Sequence, residues 1–74
     1  MFKYGQRIRV ISPLPLSPCV GTEGVVLGAR GDYVVCSFLL PFRLNDGTEE
    51  QYDEDRYDLK FALLPDEIEH ANTP

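Results

Sequence analysis

Between Gly5 and Ser12 the chain alternates, with Ile8 and Val10 on one face and Arg7 and Arg9 on the other, which predicts a half-buried strand. The next stretch, SPLPLSPC over residues 12–19, sets three prolines too close together for a helix interior or a central strand. It reads as an extended loop, and Leu14 and Leu16 are expected to tuck against their own domain, as apolar loop residues usually do. Residues 21–29 and 32–40 are both rich in valine and aromatic residues, and Arg30-Gly31-Asp32 between them supplies the glycine of a tight hairpin turn. Gly28 marks a bend or bulge in the first of these strands. In the second, Val34, Cys36 and Phe38 share the apolar face, so Cys36 is expected in the core.

Pro41 ends or bends that strand, and Asn45-Asp46-Gly47 signals a turn into a further strand over Thr48–Tyr52. Residues 53–64 fit both periods, because Tyr57, Phe61 and Leu64 stand at helical spacing while Phe61 and Leu63 alternate. Their short length and the following Pro65 favour a loop leading into a strand. Leu64-Pro65-Asp66-Glu67 begins a single helical turn, Ile68 returns to the core, and EIEHA forms a last short strand before a frayed end at 71–74. Five short strands with close turns and one helical turn predict a small, strongly bent all-β barrel, closed so that few edges stay open. With 74 residues, 43% of them hydrophobic, the chain suits a single domain around one small core.

Gly5-Gln6-Arg7-Ile8-Arg9-Val10 followed by Gly21-Thr22-Glu23-Gly24-Val25-Val26 resembles the glycine, strand, loop and Gly-x-x-Gly-x-Val arrangement of KOW-type domains, within the SH3-like barrels. It is also similar to the variable chain of ferredoxin-thioredoxin reductase and to the small-barrel counterpart of that chain in photosystem I. The ending Leu64-Pro65-Asp66-Glu67-Ile68-Glu69 sits where those families place a helical turn and the fifth strand. The resemblance covers residues 4–70 and implies an accessory module that binds proteins or RNA and has no catalytic centre. The chain departs from KOW modules that contact RNA, which are usually basic, in the acidic run NDGTEEQYDEDRYD.

Charge sharpens that departure. The net charge is −5, and it is unevenly spread. Residues 1–44 hold five basic residues against two acids, whereas residues 45–74 hold two against ten. A face built from the second set repels a nucleic-acid backbone and attracts a basic protein surface.

Other chemistries find little support in the residue types present. Cys19 and Cys36 stand seventeen positions apart with only the distant His70 to join them, too few ligands for a structural zinc site. Two cysteines in so small a chain also fail to make a disulfide framework. A calcium loop begun at Asp53 would need Gly at its sixth position and Glu at its twelfth, where Asp58 and Leu64 stand. The single histidine has no serine or cysteine partner in a recognisable motif, so neither an enzyme nor a small-molecule substrate or cofactor is expected. No apolar run is long enough to span a bilayer, and MFKYGQRIRV lacks the apolar block of a signal peptide, which makes a cytoplasmic protein with no membrane partner the expectation. Without export, Arg30-Gly31-Asp32 is a turn and not an adhesive motif.

Two binding roles remain. In the first, Tyr52 and Tyr57, interleaved with Glu49, Glu50, Asp53, Glu54, Asp55 and Asp58, offer aromatic anchors in a negative field suited to a basic surface on a protein partner. The chain then acts as an adaptor, or as an inhibitor occupying the nucleic-acid site of an enzyme. The competing structural role for the two tyrosines is core packing, since half of each strand faces inward. In the second, less favoured role, Arg7, Arg9 and Arg30 contact nucleic acid in the manner of a KOW-type barrel while Tyr4 or Tyr33 stacks a base.

Overall fold

The computed structural model describes residues 1–71. They form seven strands and one 3-10 turn: β1 (Arg7–Val10), β2 (Glu23–Arg30), β3 (Tyr33–Leu39), β4 (Phe42–Arg43), β5 (Glu49–Glu50), β6 (Asp58–Leu63), the turn at Pro65–Glu67, and β7 (Ile68–His70). Five strands make one antiparallel sheet in the order β6-β3-β2-β1-β7, and β4 and β5 form a separate two-stranded ribbon. The fold is all-β, and the one helical turn immediately precedes the last strand, as the sequence predicts. Residues 53–64 resolve into a loop followed by β6, the outcome that their length and Pro65 favour.

Period-2 patterning places the core. Ile8 and Val10 of β1, Val26 of β2, Val34, Cys36 and Phe38 of β3, Leu63 of β6 and Ile68 of β7 all bury on one side of the sheet. Phe38 is fully buried, and its ring meets Phe61 edge-on at 5.7 Å and Phe42 at 6.0 Å. The ribbon is thereby stitched to the sheet by aromatic contact. Gly24 of β2 makes room for Phe38, because a Cβ there would lie 2.7 Å from the phenylalanine ring and 2.6 Å from the Ser37 carbonyl oxygen.

The hairpin turn is the one the Arg-Gly-Asp tripeptide implies. Arg30 pairs with Tyr33 across a two-residue loop in which Gly31 has φ +60° and Asp32 has negative φ, the dihedral signature of a type II′ turn. Along the same hairpin Val26 pairs with Cys36 and Gly28 with Val35, so Leu27 is an extra residue and the strand carries a bulge beside Gly28.

Three expectations need correction. The strand predicted over Thr48–Tyr52 shrinks to Glu49–Glu50, because its partner β4 is only two residues long and leaves Gln51 and Tyr52 no backbone to pair with. Leu14 and Leu16 do not tuck in: they are 51% and 72% exposed, and the loop instead buries Ser12, Ser17 and Pro18. Ala71, placed in the frayed end, is buried, and its amide donates to the Arg7 carbonyl at 3.0 Å. The rest of that expected end, 72–74, lies outside the described residues.

The loop turns Leu14 and Leu16 outward because its polar backbone is captured from inside. The Asn45 side-chain nitrogen donates to the carbonyls of Leu14 at 2.9 Å and Ser12 at 3.0 Å, with those of Pro18 and Ser17 at 3.2 and 3.4 Å. Its Oδ1 accepts from the Val20 amide at 3.2 Å, and the Asn45 and Asp46 amides donate to the carbonyls of Ser17 and Pro15. One side chain therefore satisfies a loop that three prolines deprive of backbone donors.

Cys36 has the chemistry its position dictates. Burial pushes its thiol up from 9.0 to about 11. Because the folded chain disfavours the thiolate, this site contributes stability fully present below pH 9 and lost as pH rises through about 11. At pH 8 Cys36 is expected to resist iodoacetamide in the native chain and to react once the chain is unfolded in denaturant. Mass spectrometry of the alkylated peptides reads this directly, and rapid native labelling at Cys36 would place it outside the core.

Candidate functional site

The acidic residues singled out above occupy one continuous excursion of the chain. Asp46 and Gly47 make the first bend, where Asp46 accepts from the Thr48 amide at 2.8 Å and Gly47 adopts φ +94°. That hydrogen bond holds the Asp46 carboxyl below its ordinary range. Glu49 and Glu50 follow on β5. A second, tighter bend then closes between Asp53 and Arg56, whose amides and carbonyls exchange hydrogen bonds at 3.2 Å, with the Asp53 carboxylate accepting from the Asp55 amide at 2.8 Å. Glu54 and Asp55 form the tip. The chain rejoins the sheet where the Tyr57 carbonyl accepts from the Leu40 amide at 2.9 Å and Asp58 opens β6 opposite Leu39.

The carboxylates on this excursion differ in how free they are. Glu49 is paired with Arg43 at 2.9 Å, Glu50 lies 3.9 Å from Arg56, and Asp58 accepts from the Ser37 hydroxyl at 2.6 Å with Lys60 at 3.9 Å. The side chains of Glu54 and Asp55 have no hydrogen bond or ion pair among the described residues. Tyr52 and Tyr57 flank this tip at 60% and 67% exposure, so neither fills the core. Leu39, 70% exposed and paired with Asp58, adds an apolar side chain at the base of the excursion that the periodic pattern assigned only to the outward face of β3.

The three arginines of the second role are arranged differently. Arg9 pairs with Glu23 on one neighbouring strand and with Glu69 on the other, and its guanidinium lies 3.8 and 2.7 Å from their carboxylates. Arg7 reaches Glu23 at 2.6 Å. Two of the three cations are thus committed to acids from β2 and β7, pairings that only the sheet register creates. Arg30 ends β2 five residues beyond Val25, the partner of Arg7, which is roughly 16 Å along the strand. The structure brings Arg7 and Arg9 together and leaves Arg30 apart.

No family model, characterised protein or solved structure matches this chain. Among the described residues no group of three or more His, Cys, Asp or Glu side chains is placed to hold a metal ion, and no helix is long and apolar enough to cross a membrane.

Proposed function

We propose that the chain is a non-enzymatic, cytoplasmic protein-interaction module of the SH3-like barrel type, which uses its acidic excursion to bind a basic surface of a protein partner. The observation that carries this reading is the tip itself: two exposed tyrosines flank unpaired carboxylates on a loop fixed at both ends by backbone hydrogen bonds. A rigid aromatic side chain buries a large area on binding at small entropic cost, and free carboxylates steer a cationic partner into place. Basic surfaces of this kind are what nucleic-acid-handling enzymes present, so an accessory or inhibitory role toward such an enzyme follows from charge complementarity. The SH3-like assignment is supported by the uninterrupted antiparallel order in which the last strand returns beside the first.

The KOW-type alternative needs Arg7, Arg9 and Arg30 available to phosphates, and the ion pairs to Glu23 and Glu69 speak against it. Titrating the chain with generic single- and double-stranded oligonucleotides at low salt separates the two. The acidic-partner reading expects no binding, whereas salt-sensitive binding at micromolar protein would replace it with the nucleic-acid role.

Charge reversal at the tip is the matching test on the protein side. Reversing Asp53, Asp55 and Asp58 together would also remove the bend that Asp53 caps and the Ser37 contact of Asp58. The clean variant is Glu54→Lys with Asp55→Lys, whose side chains hold nothing in the fold.

A further inference from the structure

We infer that the outer edge of β6 is a strand-addition site for an extended segment of a protein partner in which apolar and basic side chains alternate, an inference that rests on the acidic-segment reading above. β6 is the last strand of the five-stranded sheet, and among the described residues no strand pairs with its outer side. Phe61, Ala62, Leu63 and Leu64 all line one groove of about 560 Å³, facing Leu14 and Leu16 of the proline loop across it. Successive residues of a strand point to opposite faces of the sheet, so four in a row can share a groove only along the strand's edge. The groove therefore exposes backbone with an apolar wall opposite it.

Exposed edges are normally blunted because they template pairing with another chain, and the usual devices are charge, proline or a covering loop. Here the loop stands across a groove from the edge, with Leu14 and Leu16 exposed, and Asn45 holds that loop in place. The one cation on the strand, Lys60, lies 3.9 Å from Asp58. An added strand would gain main-chain hydrogen bonds from β6 and send every second side chain into the groove, the mode by which sheet edges take extended peptides.

Charge selects the occupant. The edge begins at Asp58, three residues after the free carboxylates of Glu54 and Asp55, and ends against Asp66 and Glu67 of the 3-10 turn. Both ends are acidic, which favours basic residues at the ends of the incoming segment. A second copy of this chain would bring the same acidic ends and a further −5 of charge against them.

The test uses the peptide Lys-Val-Lys-Val-Lys-Val-Lys and two analogues carrying N-methyl groups on either all valine or all lysine amides. Only one alternate set of amides faces β6, so one analogue is expected to bind about tenfold weaker or worse while keeping charge and side chains. Amide shifts in nitrogen-15 spectra are expected at Phe61–Leu64 and around Leu14 and Leu16. The exposed-site variant Leu14→Ser with Leu16→Ser is expected to lose about tenfold in affinity without a change in thermal midpoint. If both analogues bind like the parent peptide and shifts stay within residues 52–57, strand addition is overturned while the acidic-segment reading stands. If groove binding is matched by a Glu-Val peptide and unaffected by Glu54→Lys with Asp55→Lys, the basic occupant and the acidic-segment reading fall together. Absence of groove shifts at millimolar peptide overturns the proposal outright, as does a concentration-dependent dimer that shifts the same amides.

Discussion

Replacing Phe38 with alanine is expected to cost about 3–5 kcal/mol, the range for deleting a fully buried phenylalanine. A domain of this length has a total stability of roughly 4–11 kcal/mol, so the loss would consume much of it. Three features set the size of the effect. The ring is inaccessible to solvent, it anchors Phe42 of the ribbon and Phe61 of the sheet, and the backbone at Gly24 is shaped to its edge. No neighbour is free to fill the space, because Phe42 and Phe61 are already in contact with one another at 5.9 Å. Urea denaturation followed by circular dichroism measures the change, and a loss below about 1 kcal/mol would mean that the aromatic cluster is not the centre of the core.

Asn45→Asp is expected to be the next most damaging single change and the most informative one for function. The substitution puts a carboxylate oxygen where a donor now faces the carbonyls of Leu14 and Ser12 at 2.9 and 3.0 Å. Both partners are then acceptors, and the loop loses its main tether. The cost is about 1–3 kcal/mol, and the effect concentrates in residues 12–20. Hydrogen exchange should show amides of this loop and its neighbours, notably Ser17, Cys19 and Val20, losing protection while β2 and β3 keep theirs. Uniform loss across the sheet would instead make Asn45 a general stability residue. Because the loop is one wall of the β6 groove, peptide binding there should weaken together with that protection.

Much of the sheet was legible because it is built from local alternation. Ile8 and Val10 in β1, and Val34, Cys36 and Phe38 in β3, carry their inward direction in their spacing, and Gly31 carries the turn between β2 and β3. The parts that were not legible depend on residues distant in sequence. Arg9 looks like a free surface cation until the register sets it opposite Glu69, sixty positions away. Asn45 looks like a turn residue until its amide meets carbonyls more than twenty-five positions upstream. Leu14 and Leu16 read as apolar and hence inward, yet the direction of a proline-constrained loop is set by where its backbone acceptors find donors.

The candidate site divides in the same way. The acidic run and its two tyrosines are plain in the sequence, and their crowding marks residues 46–58 as the individual part of the chain. Which carboxylates are free is a property of the fold. Ser37, Arg43, Arg56 and Lys60 occupy Asp58, Glu49 and Glu50, and leave Glu54 and Asp55 unpaired at the tip. The same logic separates Tyr52 and Tyr57 from the core: their strand partners run out before the chain reaches them, so they end on a loop.

The most direct test is the affinity of a partner captured from native extract for the wild-type chain and for Glu54→Lys with Asp55→Lys, measured side by side at physiological salt. The account predicts about tenfold weaker binding or worse for the variant, with an unchanged thermal midpoint. Equal affinity for the two proteins would contradict it and reduce the acidic excursion to a solvated surface.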